Sequence, residues 1–206
     1  MGVRISPAPL KFYLNMILGS HNSWSYLKPR KWWMKLIAFT ARCQSKSIIQ
    51  QYFNHNVRCF DLRIRFDKKG KPIIAHGIIE YNADCIDDYL DMINIWGDCI
   101  IRVIHEARNE RQYKPELFKK FCKKLEASYP HIKFYHGKNL YNWERDYYFS
   151  NDFTETEIYA SVCSPKLIDD WYPHYFAKMT NGKIRNVDTD ILLIDFVEYY
   201  KGDKQQ

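Results

Sequence analysis

No acidic residue occurs before Asp61, while the same first 60 positions carry nine Lys or Arg. The whole chain has a formal net charge of +7, so everything beyond residue 60 is slightly net acidic. A surface of evenly mixed charge is thereby excluded for the N-terminal part. Such a one-sided field points to an anionic partner: phosphate, nucleic acid or a membrane surface. Long apolar runs are missing as well. Nothing approaches the ~18–20 residues of a membrane span, so a transmembrane helix is not expected. The N-terminus lacks the order of a secretory signal, since Arg4 is followed by Pro7, Pro9 and Lys11 instead of an apolar stretch. No CxxC spacing links the six cysteines (Cys43, Cys59, Cys85, Cys99, Cys122 and Cys163), which lie among apolar residues. That pattern predicts a reduced, cytoplasmic protein and not a disulfide framework. Internal repeats and low-complexity runs are absent too, so 206 residues predict a single domain over 1–206.

Core material is plentiful. Hydrophobic residues make up 46% of the chain and aromatics 17%, too much for a disordered polymer. Phe12–Leu18 reads as a buried strand ending at Gly19-Ser20, and Gln44–Phe53 reads as a helix. From Phe60 the segment 58–66 alternates strictly, with Phe60, Leu62, Ile64 and Phe66 on one face and Asp61, Arg63 and Arg65 on the other. Pro72–His76 is a short strand after the turn at 68–71. Asp84–Trp96 and Pro115–Tyr129 have helical spacing, and Cys99–Glu106 is a β-branched strand. Shorter strands are predicted at Ile132–Tyr135 and Ile158–Val162, and 139–170 shows no clear pattern. Asp190–Val197 is a nearly all-apolar strand, as in a parallel sheet covered on both faces. Strands alternating with helices predict an α/β fold.

The basic end has its own character. Lys28, Arg30, Lys31 and Lys35 surround the adjacent Trp32 and Trp33, and the stretch from Pro29 predicts a helix with Pro in its first turn. Successive helical residues point about 100° apart, so one of the two tryptophans is expected to be exposed. Indole beside cations suits a membrane interface. Nucleic acid is not the expected partner, because no binding motif interleaves these residues. The opening Met-Gly-Val-Arg-Ile-Ser matches the pattern for myristoylation at Gly2, which would need the basic segment (about 1–46) as a second membrane signal.

Several polar residues end or follow the buried strands: His21 and Asn22, Asp61 and Arg63, His76, Glu106, and Asp195 inside the last apolar run. In parallel α/β sheets, reactive groups gather at the carboxyl ends of strands. Two histidines, an arginine and carboxylates would supply the base, acid and phosphate clamp of a phosphodiester-cleaving site. Asp195 is the hardest of these to read as incidental, since an unpaired carboxylate is costly among apolar neighbours.

Gly19-Ser20-His21-Asn22-Ser23 resembles the G-[ST]-H-[DN]-[ST] motif that opens phosphatidylinositol-specific phospholipases C. Residues 57–63, Val-Arg-Cys-Phe-Asp-Leu-Arg, resemble that family's second strand, and residues 72–77, Pro-Ile-Ile-Ala-His-Gly, its second histidine motif. Segments 102–106 and 192–196 fit two later strands more loosely. The resemblance implies a distorted, compact TIM-type barrel, short for its kind because such barrels typically run ~250 residues. It implies His21 as general base, His76 as general acid, Arg63 on the phosphate and Asp195 orienting His21. Asp61 and Asn22 would complete the catalytic set, with Arg102 and Glu106 facing the substrate. The implied substrate is phosphatidylinositol, cleaved to diacylglycerol and a cyclic inositol phosphate by a monomer on an anionic membrane surface.

Within the family an animal type binds Ca²⁺ and a bacterial type places an arginine where the metal would be. Asn22 matches the first type and Arg63 the second; Asp61 fits both and Glu106 resembles a Ca²⁺ ligand. A guanidinium among the ligands would repel Ca²⁺, so no metal is expected, with a Ca²⁺ site at Asn22, Asp61 and Glu106 as the alternative. Two other functions remain open: a lipid-binding module without turnover, and a metal-dependent phosphodiesterase for another headgroup.

Overall fold

The computed structural model describes residues 16–83, 86–139, 147–149, 158–160, 172–184 and 191–202. Gly2, the start of the strand expected from Phe12 and most of 139–170 lie outside these residues.

The strands are β1 (Ile17–Ser20), β2 (Cys59–Phe66), β3 (Pro72–His76), β4 (Ile79–Glu80), β5 (Ile100–Glu106), β6 (Lys133–Asn139), β7 (Tyr147–Phe149), β8 (Ile158–Ala160) and β9 (Ile191–Ile194). The helices are α1 (Met34–Ile37), α2 (Ile48–His55), α3 (Ile86–Trp96), α4 (Pro115–Ser128) and α5 (Pro173–Thr180). Local chemistry accounts for their ends. Ser47 caps α2 in a reciprocal capping box with Gln50, and Asn56 closes it in the left-handed region. Pro115 opens α4, whose Phe118, Cys122 and Leu125 form the buried stripe.

The sheet runs in the order β7-β6-β5-β2-β1-β9-β8. Every pairing from β6 through to β8 is parallel, and β7 is antiparallel to β6. The strands form a mixed α/β sheet, and among the described residues its two ends do not pair, so the barrel closure expected from the sequence is not seen among them.

One face of the sheet is built in two levels. Ile17, Cys59, Ile100, Ile191 and Leu193 form an apolar lower level. Two residues further along the same strands, by the two-residue side-chain period, come Asp61 and Arg102. Gly19 lies in this level because a Cβ there would stand 2.5 Å from Leu193 Cδ2 and 3.1 Å from Cys59 Cβ. The opposite face carries Phe60, Leu62, Ile64, Ile101, Val103, Phe134, Leu192 and Ile194 into the main core with the helices.

Two expected elements are shorter. No helix starts at Pro29: it forms a bridge with Tyr81, flanked by Arg30 N–H to Glu80 O (2.7 Å) and Asn82 N–H to Lys28 O (2.8 Å). Recruiting 28–30 to the β4 hairpin leaves only Met34–Ile37 as α1, anchored by buried Met34. The last strand stops at Ile194, so Asp195 stands just beyond it, before Phe196 in the left-handed region (φ 46°).

Candidate active site

β1 ends level with Phe60 of β2. Past that point β2 continues, and its vacated edge is taken by β3, which runs back antiparallel from Phe66 (opposite Pro72) towards the site. Continuing this register brings His76 level with Leu62, beside the turn that follows β1. His21 and His76 thus meet because one strand stops short and another returns along the free edge.

The turn after β1 is clasped onto β2. Ser23 N–H donates to Asp61 O (3.0 Å), Asp61 N–H donates to Ser23 Oγ (2.8 Å), and Asn22 N–H donates to Asp61 Oδ2 (2.9 Å). These bonds hold Asn22 at φ 46°, a conformation asparagine tolerates better than most residues. Its side-chain Nδ2 donates to Ala41 O (3.2 Å), while Oδ1 is buried and accepts no hydrogen bond among the described residues.

His21 has a different neighbour on each edge of its ring. Nδ1 lies 2.8 Å from Asp195 Oδ1, and Nε2 lies 2.5 Å from Arg63 Nη2. A guanidinium can only donate, so Nε2 carries the lone pair and Nδ1 the proton given to Asp195. Burial, then the cation of Arg63, pushes His21 well below its ordinary pKa. Burial drives the Asp195 carboxyl upward.

Arg63 is the centre of the polar level. Its Nε donates to Asp61 Oδ2 at 2.8 Å and its Nη1 to Glu106 Oε2 at 3.3 Å, and Arg102 Nη1 reaches Asp61 Oδ1 at 3.5 Å. Burial opposes ionisation of Asp61, but Arg63 and Arg102 outweigh it and hold the carboxyl well below the usual range. Glu106 is likewise held down, mainly by Arg63 against the cost of burial. Glu106 Oε1 accepts the Gly77 N–H (2.9 Å), and Arg65 donates to Gly77 O (2.5 Å) and Glu106 O (3.0 Å). The polar face of β2 is therefore closed off from solvent.

His76 is half-buried, its ring centroid 5.8 Å from that of His21 and almost perpendicular to it. Its Nδ1 lies 3.1 Å from Ala41 O, which also accepts from Tyr81 Oη (3.0 Å). Donation of Nδ1–H to that carbonyl leaves Nε2 as the atom free for proton transfer. Burial and Arg63 lower the His76 pKa, while Glu106 opposes them.

The structure brings His21, Asn22, Asp61, Arg63, His76, Arg102, Glu106 and Asp195 into one neighbourhood. Arg102 Nη1 reaches Asp61 there, and Glu106 contacts Arg63 and the Gly77 backbone. Arg63 bridges Asp61 and Glu106, the two carboxylates that a Ca²⁺ site would need. Lys28, Arg30, Lys31, Trp32, Trp33 and Lys35 form a separate region. Both tryptophans are exposed there, Trp32 at 74% and Trp33 at 39%, against the expectation of one. With α1 so short, neither indole is drawn into a helix packing face.

Two residues near the site carried no sequence signal. Gln44 is fully buried and donates from Nε2 to His21 O (3.0 Å) and Ile194 O (2.8 Å). Its Oε1 accepts the Val197 N–H (3.2 Å), so one amide ties the His21 turn to the Asp195 bend. Cys43 is buried with its Sγ 3.8 Å from His76 Nδ1, and burial, then Asp195, keeps it a thiol. Both sit in a loop before α2, because the helix expected from Gln44 starts only at Ile48, after its Ser47 cap.

The fold and this polar level define a mixed α/β architecture with a histidine pair at the carboxyl end of parallel strands. Solved structures sharing the fold include the phosphatidylinositol-specific phospholipase C of Listeria monocytogenes (16% identity, TM-score 0.57, 90% of each chain covered). A variant of the enzyme of the same name from Staphylococcus aureus is also similar, at 13% identity and TM-score 0.55, over 87% of this chain and 84% of that one. No family model and no curated protein sequence matches the chain.

Proposed function

We propose that the protein is a phosphodiesterase that cleaves phosphatidylinositol by intramolecular attack, without a metal. The observation that carries this reading is the pair of histidine rings 5.8 Å apart with the Arg63 guanidinium against one of them. The fold shared with bacterial enzymes named for this substrate supports it.

In the resting site Arg63 Nη2 covers the lone pair of His21 Nε2. A phosphate is a better partner for a guanidinium than an imidazole nitrogen is. Substrate binding therefore moves Arg63 onto the phosphate oxygens and uncovers Nε2. The inositol 2-hydroxyl gives its proton to Nε2 as its oxygen attacks phosphorus. Asp195, on Nδ1–H, keeps the ring in the working tautomer and stabilises the imidazolium. His76, which takes up a proton once the anionic phosphate engages Arg63 and lies beside it, keeps Nδ1–H on Ala41 O and delivers the Nε2 proton to the glycerol oxygen as the P–O bond breaks. The products are diacylglycerol and a cyclic inositol phosphate. The bridging Arg63 supplies the positive charge that Ca²⁺ supplies elsewhere, so Asn22, Asp61 and Glu106 act here as supports of the turn, the arginine and Gly77.

Exposed Trp32, Trp33, Leu36 and Phe39, beside Lys31 and Lys35, form the surface that meets an anionic bilayer in this reading. No helix among the described residues is long and apolar enough to cross a membrane, so the association proposed is peripheral.

The test is ³¹P NMR of phosphatidylinositol vesicles in EDTA with wild type and His21→Ala. A cyclic phosphodiester signal from the wild type only is the expected result. Activity that needs added Ca²⁺ would overturn the metal-free assignment. The Arg63–His21 contact also favours a second reading, a lipid-binding module with its base permanently covered. Vesicle binding with no product under either condition would select it.

A further inference from the structure

Cys43 plays no part in the proposed reaction, yet it clusters with His21 and Asp195. His21, Cys43 and Asp195 each offer a ligand atom, these atoms lie within 4.8 Å of one another, and all three residues are buried. Nitrogen, sulfur and one carboxylate oxygen form a borderline-soft donor set, suited to four-coordinate Zn²⁺ and unlike the 6–8 oxygens Ca²⁺ takes. Arg63 does not stand in the way, because it approaches the ring at Nε2 while Asp195 meets Nδ1. Three protein ligands leave the fourth position open.

We infer that His21, Cys43 and Asp195 form an inhibitory site for a thiophilic divalent cation of the Zn²⁺ class. This rests on the proposed role of His21 for its effect, though not for the binding itself. The metal bonds to the Nδ1 lone pair, the Asp195 carboxylate and the Cys43 thiolate. The thiol proton leaves to solvent, and the proton on Nδ1 moves to Nε2. Nε2–H cannot accept a proton from a hydroxyl, and it can no longer receive the Arg63 N–H. Metal binding thus inverts the tautomer on which the base depends and turns Arg63 away. The cysteine makes the difference, since a His–Asp pair alone offers two ligands.

The test has a spectroscopic and a kinetic arm. Purified full-length protein is titrated with Co²⁺, and a thiolate-to-cobalt absorption band is followed in wild type, Cys43→Ala and Cys43→Ser. The band is expected at one equivalent in wild type and is lost in both variants; its persistence in the variants, or its absence from wild type, overturns the site. Circular dichroism checks that at least one variant is folded. In the kinetic arm, phosphatidylinositol cleavage is measured in Zn²⁺ buffers. Wild-type activity is expected to fall at least tenfold at Zn²⁺ levels that leave the Cys43 variants unaffected. Equal inhibition of all three proteins, or cobalt binding without inhibition, overturns the inhibitory role. Should no cleavage be found at all, the cobalt band still decides the site, so failure of the activity and failure of the metal site are told apart.

Discussion

His21 and His105 are both closed off from solvent, at 8% and 0% exposure, and burial lowers the pKa of each. They occupy opposite faces of the same sheet. His21 stands in the polar level between Asp195 and Arg63, with a defined proton on one nitrogen and a lone pair on the other. His105 lies on the helix side, stacked 5.0 Å from Phe118 and 5.3 Å from Tyr113, with Phe66 at its edge. Burial alone makes a neutral imidazole. Charged partners on both nitrogens make one with a direction, and only that one can be set to take a proton from a chosen atom.

The largest expected difference between them is in turnover. His21→Ala should lower phosphatidylinositol cleavage by ~10²–10⁴-fold, the usual worth of a positioned base, while His105→Phe leaves it within a few-fold. Parallel rates from vesicle assays check this, and equal losses would erase the contrast. Arg63→Ala comes next, as a stability effect. It removes the cation shared by Asp61 and Glu106 and should cost about 3–5 kcal/mol in urea unfolding, because two buried carboxylates lose a partner. A cost below about 1 kcal/mol would mean that Arg102 and Arg65 carry the polar level without it.

His105 supplies the third prediction. Its pKa is lowered to about 4, first by burial and then by Arg65. The unfolded value is near 6.5, so protonation favours unfolding. The stability from keeping this ring neutral is complete above pH 6.5 and is lost progressively as pH falls towards 4. It amounts to at most about 3 kcal/mol. His105→Phe should flatten that part of the stability–pH curve, which thermal melts between pH 7 and 4 would show. The smallest stability effect belongs to the exposed end. Trp32→Ala should change folding stability by no more than about 0.5 kcal/mol, yet weaken binding to anionic vesicles several-fold in co-sedimentation.

Much of this was legible along the chain. Strict alternation in 60–66 separated Asp61, Arg63 and Arg65 from Phe60, Leu62 and Ile64, because a strand has a side-chain period of two. Alternation names two faces without saying that both are covered, and here even the charged one is buried. The two histidine motifs were visible as strand ends, but their meeting depends on β3 returning along the edge that β1 leaves free. Pro29 fits the start of a helix by its own preference; pairing with Tyr81 overrides it. Gln44 and Cys43 were silent because a polar amide or a thiol in a loop acquires meaning only from what the loop crosses.

Local pattern was enough for the α/β class, for the strands that carry Asp61, Arg63 and Glu106, and for the basic, tryptophan-bearing end, since all depend on side-chain period, turn chemistry and charge along the chain. The strand order, the orientation of His21 between Asp195 and Arg63, and the approach of Cys43 to His21 and Asp195 belong to the tertiary structure. They bring together residues up to 174 positions apart, and contacts at that separation are chosen by packing and hydrogen-bond geometry, which no local window of sequence contains.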